Sequence, residues 1–231
     1  MKVKVLGVKI DDVSMDEGLA QVEKWIIAPG KYYIVTPNPE FIVSAQKDSH
    51  FKKILNDADL SIPDGAGLRL SGSVKNTISG TDFMEELIKL SAEKGFVIGF
   101  LGGKEGVAER TVERLKKKYP GLKVNFINSG GDVNKEGKTT ANLTVPPLDI
   151  LFVAFGHIKQ EKWIADNLAK IPAHVSMGVG GAFDYLSGSI PRAPKWVRSL
   201  GLEWLFRLVM QPWRVKRQFA LINYLLLLAK R

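Results

Sequence analysis

Cysteine is absent from the 231 residues of the chain. Without a thiol the protein can form no disulfide, no zinc–thiolate centre and no covalent intermediate on sulfur. Histidine is scarce, with three in the whole chain, and no cluster of histidines and carboxylates has the spacing typical of metal ligands. The composition therefore agrees with a reducing, cytoplasmic compartment and predicts no metal site.

Long apolar runs are also absent. The first apolar stretch, residues 1–6, is too short for a secretory signal peptide, and no run reaches the roughly 20 apolar residues of a transmembrane helix. Hydrophobic residues make up 45% of the chain and charged residues 25%, which is typical of a globular protein with a buried core. We expect a cytoplasmic protein that is soluble or bound to a membrane surface.

Positive charge is concentrated at one end of the chain. Residues 192–231 contain nine Lys or Arg and one acid, Glu203, whereas residues 1–191 contain 24 bases and 23 acids. A localised basic segment indicates a partner that carries phosphates, such as a nucleic acid or an anionic membrane. We therefore divide the chain into a nearly neutral domain of residues 1–191 and a basic appendage of residues 192–231.

Short apolar segments alternate with segments of helical period along the first 191 residues. Strands are predicted at 3–10, 32–35, 60–62, 96–101, 124–127, 149–155 and 175–179. Helices fall between them, one of them capped by Thr81 and continuing through Glu93. This alternation predicts an α/β fold, in which a Rossmann-like, mostly parallel sheet carries helices on both faces.

The appendage has a different pattern. Apolar and aromatic residues interleave with arginines at helical spacing over residues 196–209 and again over residues 219–228. Such a pattern is typical of an amphipathic helix pair at a membrane interface. Helices docked on the core of the domain would give the same pattern, and a docked tail can also touch a membrane.

Asp64 lies where the buried strand of residues 60–62 reaches Pro63 and a glycine-rich turn. On this stretch alone, the ordinary interpretation is that Asp64 caps the next helix. In open α/β sheets, however, ligands bind beyond the carboxyl ends of the strands. The loops with Thr36 and Asn38 and with Gln160 follow strands too, and these side chains suit a sugar with many hydroxyls, with Asp64 as a candidate general base.

Other strand ends are rich in glycine. Gly102 and Gly103 stand between a strand and a helix, where backbone N–H groups could bind a phosphate. Asp184 follows a similar glycine run and could hold a ribose, although tight packing explains both loops equally well. Asp57-Ala-Asp59 matches the metal-binding Asp-x-Asp of many sugar transferases, but it precedes its strand and should lie at the opposite edge of the sheet.

Without a metal, fixed cations must stabilise a leaving diphosphate. Arg207, Arg214 and Arg217 have spacings of seven and three residues, which put them on one helix face if Pro212 only kinks the helix. A solvated basic face is the usual alternative, but acidic partners at helical spacing are nearly absent here.

Several ordered blocks, spread over nearly the whole chain, resemble the WecG/TagA/CpsF family of bacterial glycosyltransferases. The blocks are Thr36-Pro-Asn38-Pro-Glu40, Ala58-Asp-Leu-Ser-Ile-Pro-Asp64-Gly, Ser79-Gly-Thr-Asp82, Leu101-Gly-Gly103, Lys159-Gln160-Glu161-Lys162-Trp163, Gly178-Val-Gly-Gly-Ala-Phe-Asp184, Arg192-Ala-Pro-Lys-Trp196 and Gly201-Leu-Glu-Trp204.

The resemblance implies a metal-independent, inverting transferase without a cofactor. It would move N-acetylmannosamine from a UDP donor to undecaprenyl-diphosphate-linked N-acetylglucosamine, in wall teichoic acid or related surface-polymer synthesis on the inner face of the cell membrane. By matching positions, Asp64 would be the general base, Thr36, Asn38 and Gln160 would line the pocket, and arginines 207, 214 and 217 would stabilise UDP. The oligomeric state is left open, a homo-oligomer included.

Two residues depart from the family pattern. Thr77 stands where the family often has arginine, so that Lys75 might be the substitute cation, and Ile158 stands where it often has proline, which should alter only the rigidity of a loop. A nucleotide- or nucleic-acid-binding module is the alternative from another class, and a Rossmann-type oxidoreductase lacks its Gly-x-Gly-x-x-Gly motif here. The resemblance implies that nucleic acid is not a partner of this protein.

Overall fold

The computed structural model describes residues 1–212 and 215–230, without the side chains of Ser199, Lys216, Arg217 and Gln218. The chain begins with an antiparallel hairpin of β1 (Lys2–Val5) and β2 (Val8–Asp11). A six-stranded sheet follows, formed by β3 (Tyr32–Val35), β4 (Leu60–Ser61), β5 (Val97–Gly102), β6 (Lys123–Asn128), β7 (Leu148–Ala154) and β8 (Ala173–Gly178).

The strand order of this sheet is β4-β3-β8-β7-β5-β6, and every neighbouring pair is parallel. All six carboxyl ends therefore lie along one edge. The helices are α1 (Met15–Ile27), α2 (Pro39–Lys47), α3 (Ser49–Asp57), α4 (Gly80–Lys94), α5 (Val107–Lys118), α6 (Lys159–Asn167), α7 (Ala182–Leu186), α8 (Lys195–Ser199), α9 (Glu203–Met210) and α10 (Val215–Ala229), with a 3₁₀ helix at Ala66–Ser71.

Helices cover both faces of the sheet. Phe100 and Phe152 point into the core on one face, where Phe183 packs on Phe100 with ring centroids 5.4 Å apart. Leu151 and Val153 point into the core on the other face. The sequence of β7 is thus almost entirely apolar, because both sides of the strand are buried. The predicted α/β, Rossmann-like fold is confirmed.

Three local predictions were wrong. Residues 3–10 form a hairpin rather than one strand, because Leu6 and Gly7 both take positive φ (48° and 80°) and turn the chain. Helix α4 begins at Gly80 with Ser79 at the N-cap, not at Thr81. The helix predicted over residues 196–209 is broken into α8 and α9 around Gly201, whose φ is +72°.

Helix α10 packs against α2 and the 3₁₀ helix. Tyr224 is fully buried there, and Leu221 lies near Gly67, with Cδ1 3.5 Å from where a Cβ on that glycine would stand. Trp196 and Val209, by contrast, are 67% and 70% exposed. Helix α10 is therefore docked on the domain, whereas α8 and α9 carry exposed apolar side chains; the appendage as a separate unit and its boundary at residue 192 stay predictions. Among the helices described, none has the length and apolarity to span a bilayer.

Tyr224→Ala should weaken the docking of α10 by about 3 kcal/mol, because the variant loses a fully buried aromatic side chain. Amide hydrogen exchange in α10 should then become roughly tenfold faster or more, while exchange in β7 stays slow. Leu225→Ala is the matched control, since that neighbouring side chain is 43% exposed. Equal exchange in both variants would contradict the docking.

Candidate active site

Asp64 is held at the carboxyl edge of the sheet by main-chain hydrogen bonds. Its N–H donates to the Pro37 carbonyl at 2.9 Å, and the carbonyl of Pro63 accepts from the Ile78 N–H at 2.9 Å. The side chain does not cap the helix that follows it, because the 3₁₀ helix has Gly65 at its N-cap and no side-chain cap; the carboxyl instead accepts from the Gly80 N–H at the start of α4. The capping interpretation of Asp64 is therefore wrong.

The Asp64 carboxyl is enclosed strongly enough to change its protonation. The residue is only partly exposed, and desolvation raises its pKa to about 7. The acids Glu203 and Asp82 raise this pKa as well, while the backbone N–H of Gly80 and the Arg192 guanidinium lower it. The raised pKa gives a group that can accept a proton near neutral pH.

Thr36 and Asn38 follow β3, the neighbour of β4. Thr36 is buried, and its Oγ1 lies 3.2 Å from where a Cβ on Gly80 would stand, so it packs directly against the start of α4. Asn38 caps α2: its Oδ1 accepts from the N–H groups of Glu40 and Phe41 at 2.9 and 3.1 Å. The structure thus brings both residues beside Asp64, and part of the Asn38 side chain serves the fold.

Gln160 lies at the start of α6, fully enclosed. Its Nε2 donates to Glu161 Oε1 at 2.7 Å, and its Oε1 accepts from the Gly180 N–H at 2.9 Å. Burial raises the pKa of Glu161 to about 7, against hydrogen bonding from Gln160 that lowers it. Gln160 therefore ties the loop after β7 to the loop after β8, a structural task that the sequence did not indicate.

Ile158 precedes α6 in a strained conformation, with φ +69° and ψ −46°. Positive φ is rare for a β-branched residue, and such strained backbone conformations occur mainly at functional sites. Proline, whose ring fixes φ near −65°, cannot adopt this conformation. The backbone conformation of Ile158 thus excludes a proline in the same conformation, and the expected effect of the replacement on the rigidity of the loop stays a prediction.

Arg207 of α9 reaches the end of β8. Its guanidinium lies over the Tyr185 ring at 4.8 Å, and a Cβ on Gly181 would overlap its Nη2 and stand 3.4 Å from Asp184 Oδ2. Arg207 Nε is buried without a hydrogen-bond partner among the described residues. The structure therefore brings Arg207 and Asp184 together at this loop.

The other two predicted arginines give no comparable geometry. Arg214 lies outside the described residues, and of Arg217 only the backbone, in α10, is described. Their roles stay predictions.

Gly102 and Gly103 are placed where packing needs them. A Cβ on Gly102 would stand 2.7 Å from the Ala154 carbonyl carbon, and the Gly103 N–H donates to the Ala154 oxygen at 3.0 Å. Tight packing between β5 and β7, our alternative, is thus present. A phosphate contact from these glycines stays a prediction.

A cavity of about 520 Å³ lies next to this edge and is lined by Thr77, Ser79 and Asp82 among others. Arg69 also lines it, whereas Lys75 does not. Arg69 is thus one cation near Thr77, and the suggestion that Lys75 substitutes for the family's arginine stays a prediction.

Asp57 and Asp59 lie at the opposite edge, as the sequence predicted. Asp59 Oδ2 accepts from the Tyr33 N–H at 2.9 Å at the start of β3, and Asp57 forms an ion pair with Lys53. Within the described residues, no group of three or more histidines and carboxylates could hold a metal ion.

An ion-pair cluster beside Asp64 was not predicted. Arg192 Nη1 lies 2.8 Å from Asp82 Oδ1, and Arg192 Nε lies 3.3 Å from Glu203 Oε1. Arg198 Nη1 lies 3.1 Å from the same Asp82 oxygen. The only signal for these residues in the sequence was that three of them fall in the blocks shared with the family.

Comparison with known proteins finds similar sequences over most of the chain. The model of the family described as "Glycosyl transferase WecG/TagA/CpsF family" matches residues 3–231. An N-acetylglucosaminyldiphosphoundecaprenol N-acetyl-beta-D-mannosaminyltransferase of Bacillus subtilis (strain 168) is 34% identical over 202 residues, which cover 85% of this chain and 78% of the relative.

A protein of the same name from Staphylococcus aureus (strain MW2) is 28% identical over 237 residues, covering 99% of this chain and 92% of the relative. Because the family model spans nearly every residue and the similarity runs through both the sheet and the appendage, the chain belongs to the WecG/TagA/CpsF glycosyl transferase family.

Proposed function

We propose that the protein transfers N-acetylmannosamine from UDP to undecaprenyl-diphosphate-linked N-acetylglucosamine, with inversion at the anomeric carbon, in wall teichoic acid-like polymer synthesis. The observation that carries this proposal is the enclosed Asp64 carboxyl, with its pKa near 7, at the ligand-binding edge of a parallel sheet. The acceptor and the transferred sugar come from the names of the Bacillus and Staphylococcus relatives.

The reaction is a single displacement. Asp64 takes the proton of the acceptor hydroxyl as its oxygen bonds to the anomeric carbon of the donor, and the bond from that carbon to the β-phosphate oxygen breaks. UDP leaves with the electron pair, and attack from the opposite side inverts the anomeric centre. A base with a pKa near the working pH is effective in such a transfer.

Charge on the leaving UDP is stabilised by cations of the appendage in this proposal. Arg207 is the described candidate, because it already lies at the loop after β8 beside Asp184, and its buried Nε has no hydrogen-bond partner within the described part of the chain. Arg214 and Arg217 would complete the group. No metal ion or other cofactor takes part.

The exposed apolar side of the appendage supports a location on the inner face of the cell membrane. Trp196, Leu200 and Phe219 are between 59% and 67% exposed, and aromatic and aliphatic side chains next to basic residues insert at an anionic interface. The polyprenyl chain of the acceptor lies in the same membrane, so this orientation would bring acceptor and site together.

A transfer assay tests the function directly. UDP-N-acetylmannosamine and a short-chain lipid-diphosphate N-acetylglucosamine should give a β-linked disaccharide, at equal rates with and without EDTA. UDP-N-acetylglucosamine serves as the matched donor. Transfer of that sugar instead would overturn the donor, and loss of activity in EDTA would overturn the metal-free mechanism.

Asp64→Asn should lower kcat by on the order of 10²- to 10⁴-fold, because the amide cannot accept the proton. Binding of UDP, measured by calorimetry, should change little. The unfolding midpoint of the variant at pH 8 should not fall below that of the wild type. At this pH the wild-type carboxyl is ionised, and a group whose pKa is raised by folding destabilises the folded state when it is ionised. Asp57→Asn, at the opposite edge, is the control; full activity in Asp64→Asn would rule out the base.

The pH profile of kcat/KM should have an acid limb near pH 7. The pKa of Asp64 is raised to about 7, and only the ionised carboxylate accepts the proton. Activity is therefore retained above this pH and falls about tenfold for each pH unit below it. A limb near pH 4, the ordinary range of an aspartate, would contradict the assignment.

A further inference from the structure

Three of the family blocks have no task in the reaction described so far: those that contain Asp82, Arg192 and Glu203. In the fold they meet at one place. Arg192 stands just before α8, Glu203 begins α9, and Asp82 lies in the first turn of α4. The Arg192 side chain is 17% exposed and that of Glu203 26%, so the cluster is largely shielded from solvent.

Arg192 contacts both sides of Gly80. Its Nη2 donates to Ser79 Oγ at 3.2 Å, and its Nη1 lies 2.8 Å from Asp82 Oδ1. The Gly80 N–H between these contacts interacts with the Asp64 carboxylate. A planar guanidinium with several fixed donors is suited to hold a backbone turn in this way.

The appendage also approaches the Asp64 loop directly. Gly201, in the turn between α8 and α9, lies so close that a Cβ there would stand 2.9 Å from the Ala66 Cβ. Arg192 Nε lies 3.3 Å from Glu203 Oε1 across the same turn. Contacts of Arg192 thus connect the appendage with the start of α4 and, through Gly80, with Asp64.

We infer that Arg192 is a positioning residue for Asp64: by pairing with Asp82, Ser79 and Glu203 it fixes the Gly80 N–H and holds α9 against the base. The inference rests on the proposed function in taking Asp64 as the base. The charged groups that act on Asp64 are Asp82 of α4, Glu203 of α9 and Arg192 itself. Arg198 also pairs with Asp82, and Glu85 lies 3.9 Å from Arg192 Nη1. Of the two cations in the cluster, Arg192 is the one that acts on Asp64 itself, so its removal increases the repulsion between Asp64 and the neighbouring acids.

The test compares Arg192→Gln and Glu203→Gln in the full chain. The acid limb of kcat/KM should move to higher pH by about half a pH unit or more in Arg192→Gln, because a cation near Asp64 is lost. It should move to lower pH by a similar amount in Glu203→Gln, because a nearby acid is lost. Arg192→Lys keeps the charge but not the planar fork, so its limb should stay in place while kcat falls.

Lys94→Gln is the matched control. It removes one cation from an ion pair, with Glu23 at 2.7 Å, at the other end of α4, and should leave the limb unmoved. A carbon-13 NMR titration of the Asp64 carboxyl measures the same changes in its pKa without depending on catalysis. If the NMR titrations move in opposite directions but the rate profiles do not follow, the positioning role stands and the base assignment falls.

Two results would overturn the inference. In one, Arg192→Gln raises the donor KM and leaves the titration of Asp64 in place, which would make Arg192 a substrate contact. In the other, both glutamine variants lower the unfolding midpoint without moving the titration, which would make the cluster a purely structural one. Opposite shifts from the two variants, by contrast, cannot arise from a general loss of stability.

Discussion

The enclosure of one carboxyl group at the end of β4 is the constraint on which the site depends. An aspartate surrounded by protein ionises reluctantly, and desolvation is the main reason for the raised pKa of Asp64. The fold maintains this enclosure with two backbone hydrogen bonds at the peptide group between Pro63 and Asp64: the Asp64 N–H donates to Pro37, and the Pro63 carbonyl accepts from Ile78. These bonds hold the Asp64 side chain in place although the strand before it, β4, has only two residues.

The same enclosure explains why the two ends of the chain must meet. Neighbouring acids that raise the pKa of Asp64 also repel it, and Arg192 limits this repulsion by pairing with Asp82 and Glu203. Glu203 and Arg192 both come from residues after 191, while Asp82 comes from the sheet domain. The environment of Asp64 is therefore shared between the two predicted parts of the chain, and neither part supplies it alone.

Sequence reasoning succeeded where the physical signal is local. Strand β3 was predicted to the residue, because Tyr32–Val35 are aromatic or β-branched and a Thr-Pro-Asn-Pro turn ends them. The convergence of Thr36, Asn38 and Asp64 also followed, since carboxyl ends of parallel strands share an edge. The contact of Arg192 with Ser79, by contrast, joins residues 113 positions apart in the sequence. No hydrophobic periodicity predicts a contact between residues so far apart. The hairpin turn was missed because Leu6, unlike Asn or Asp, rarely takes positive φ.

The placement of Arg207 shows what the appendage adds to a nearly neutral domain. The described loops at the carboxyl edge supply mainly hydroxyls, amides and acids, and the Gln160 amide and the Gly103 N–H already donate hydrogen bonds within the fold. A departing diphosphate needs cations that are fixed before the reaction begins. Arg207 can lie at this edge because Gly181 has no side chain to displace it and Tyr185 supports its guanidinium from one side, and under the proposed function it would be such a cation. The glycines after β8 therefore matter less as donors to a phosphate than as the space in which an arginine of the appendage can lie.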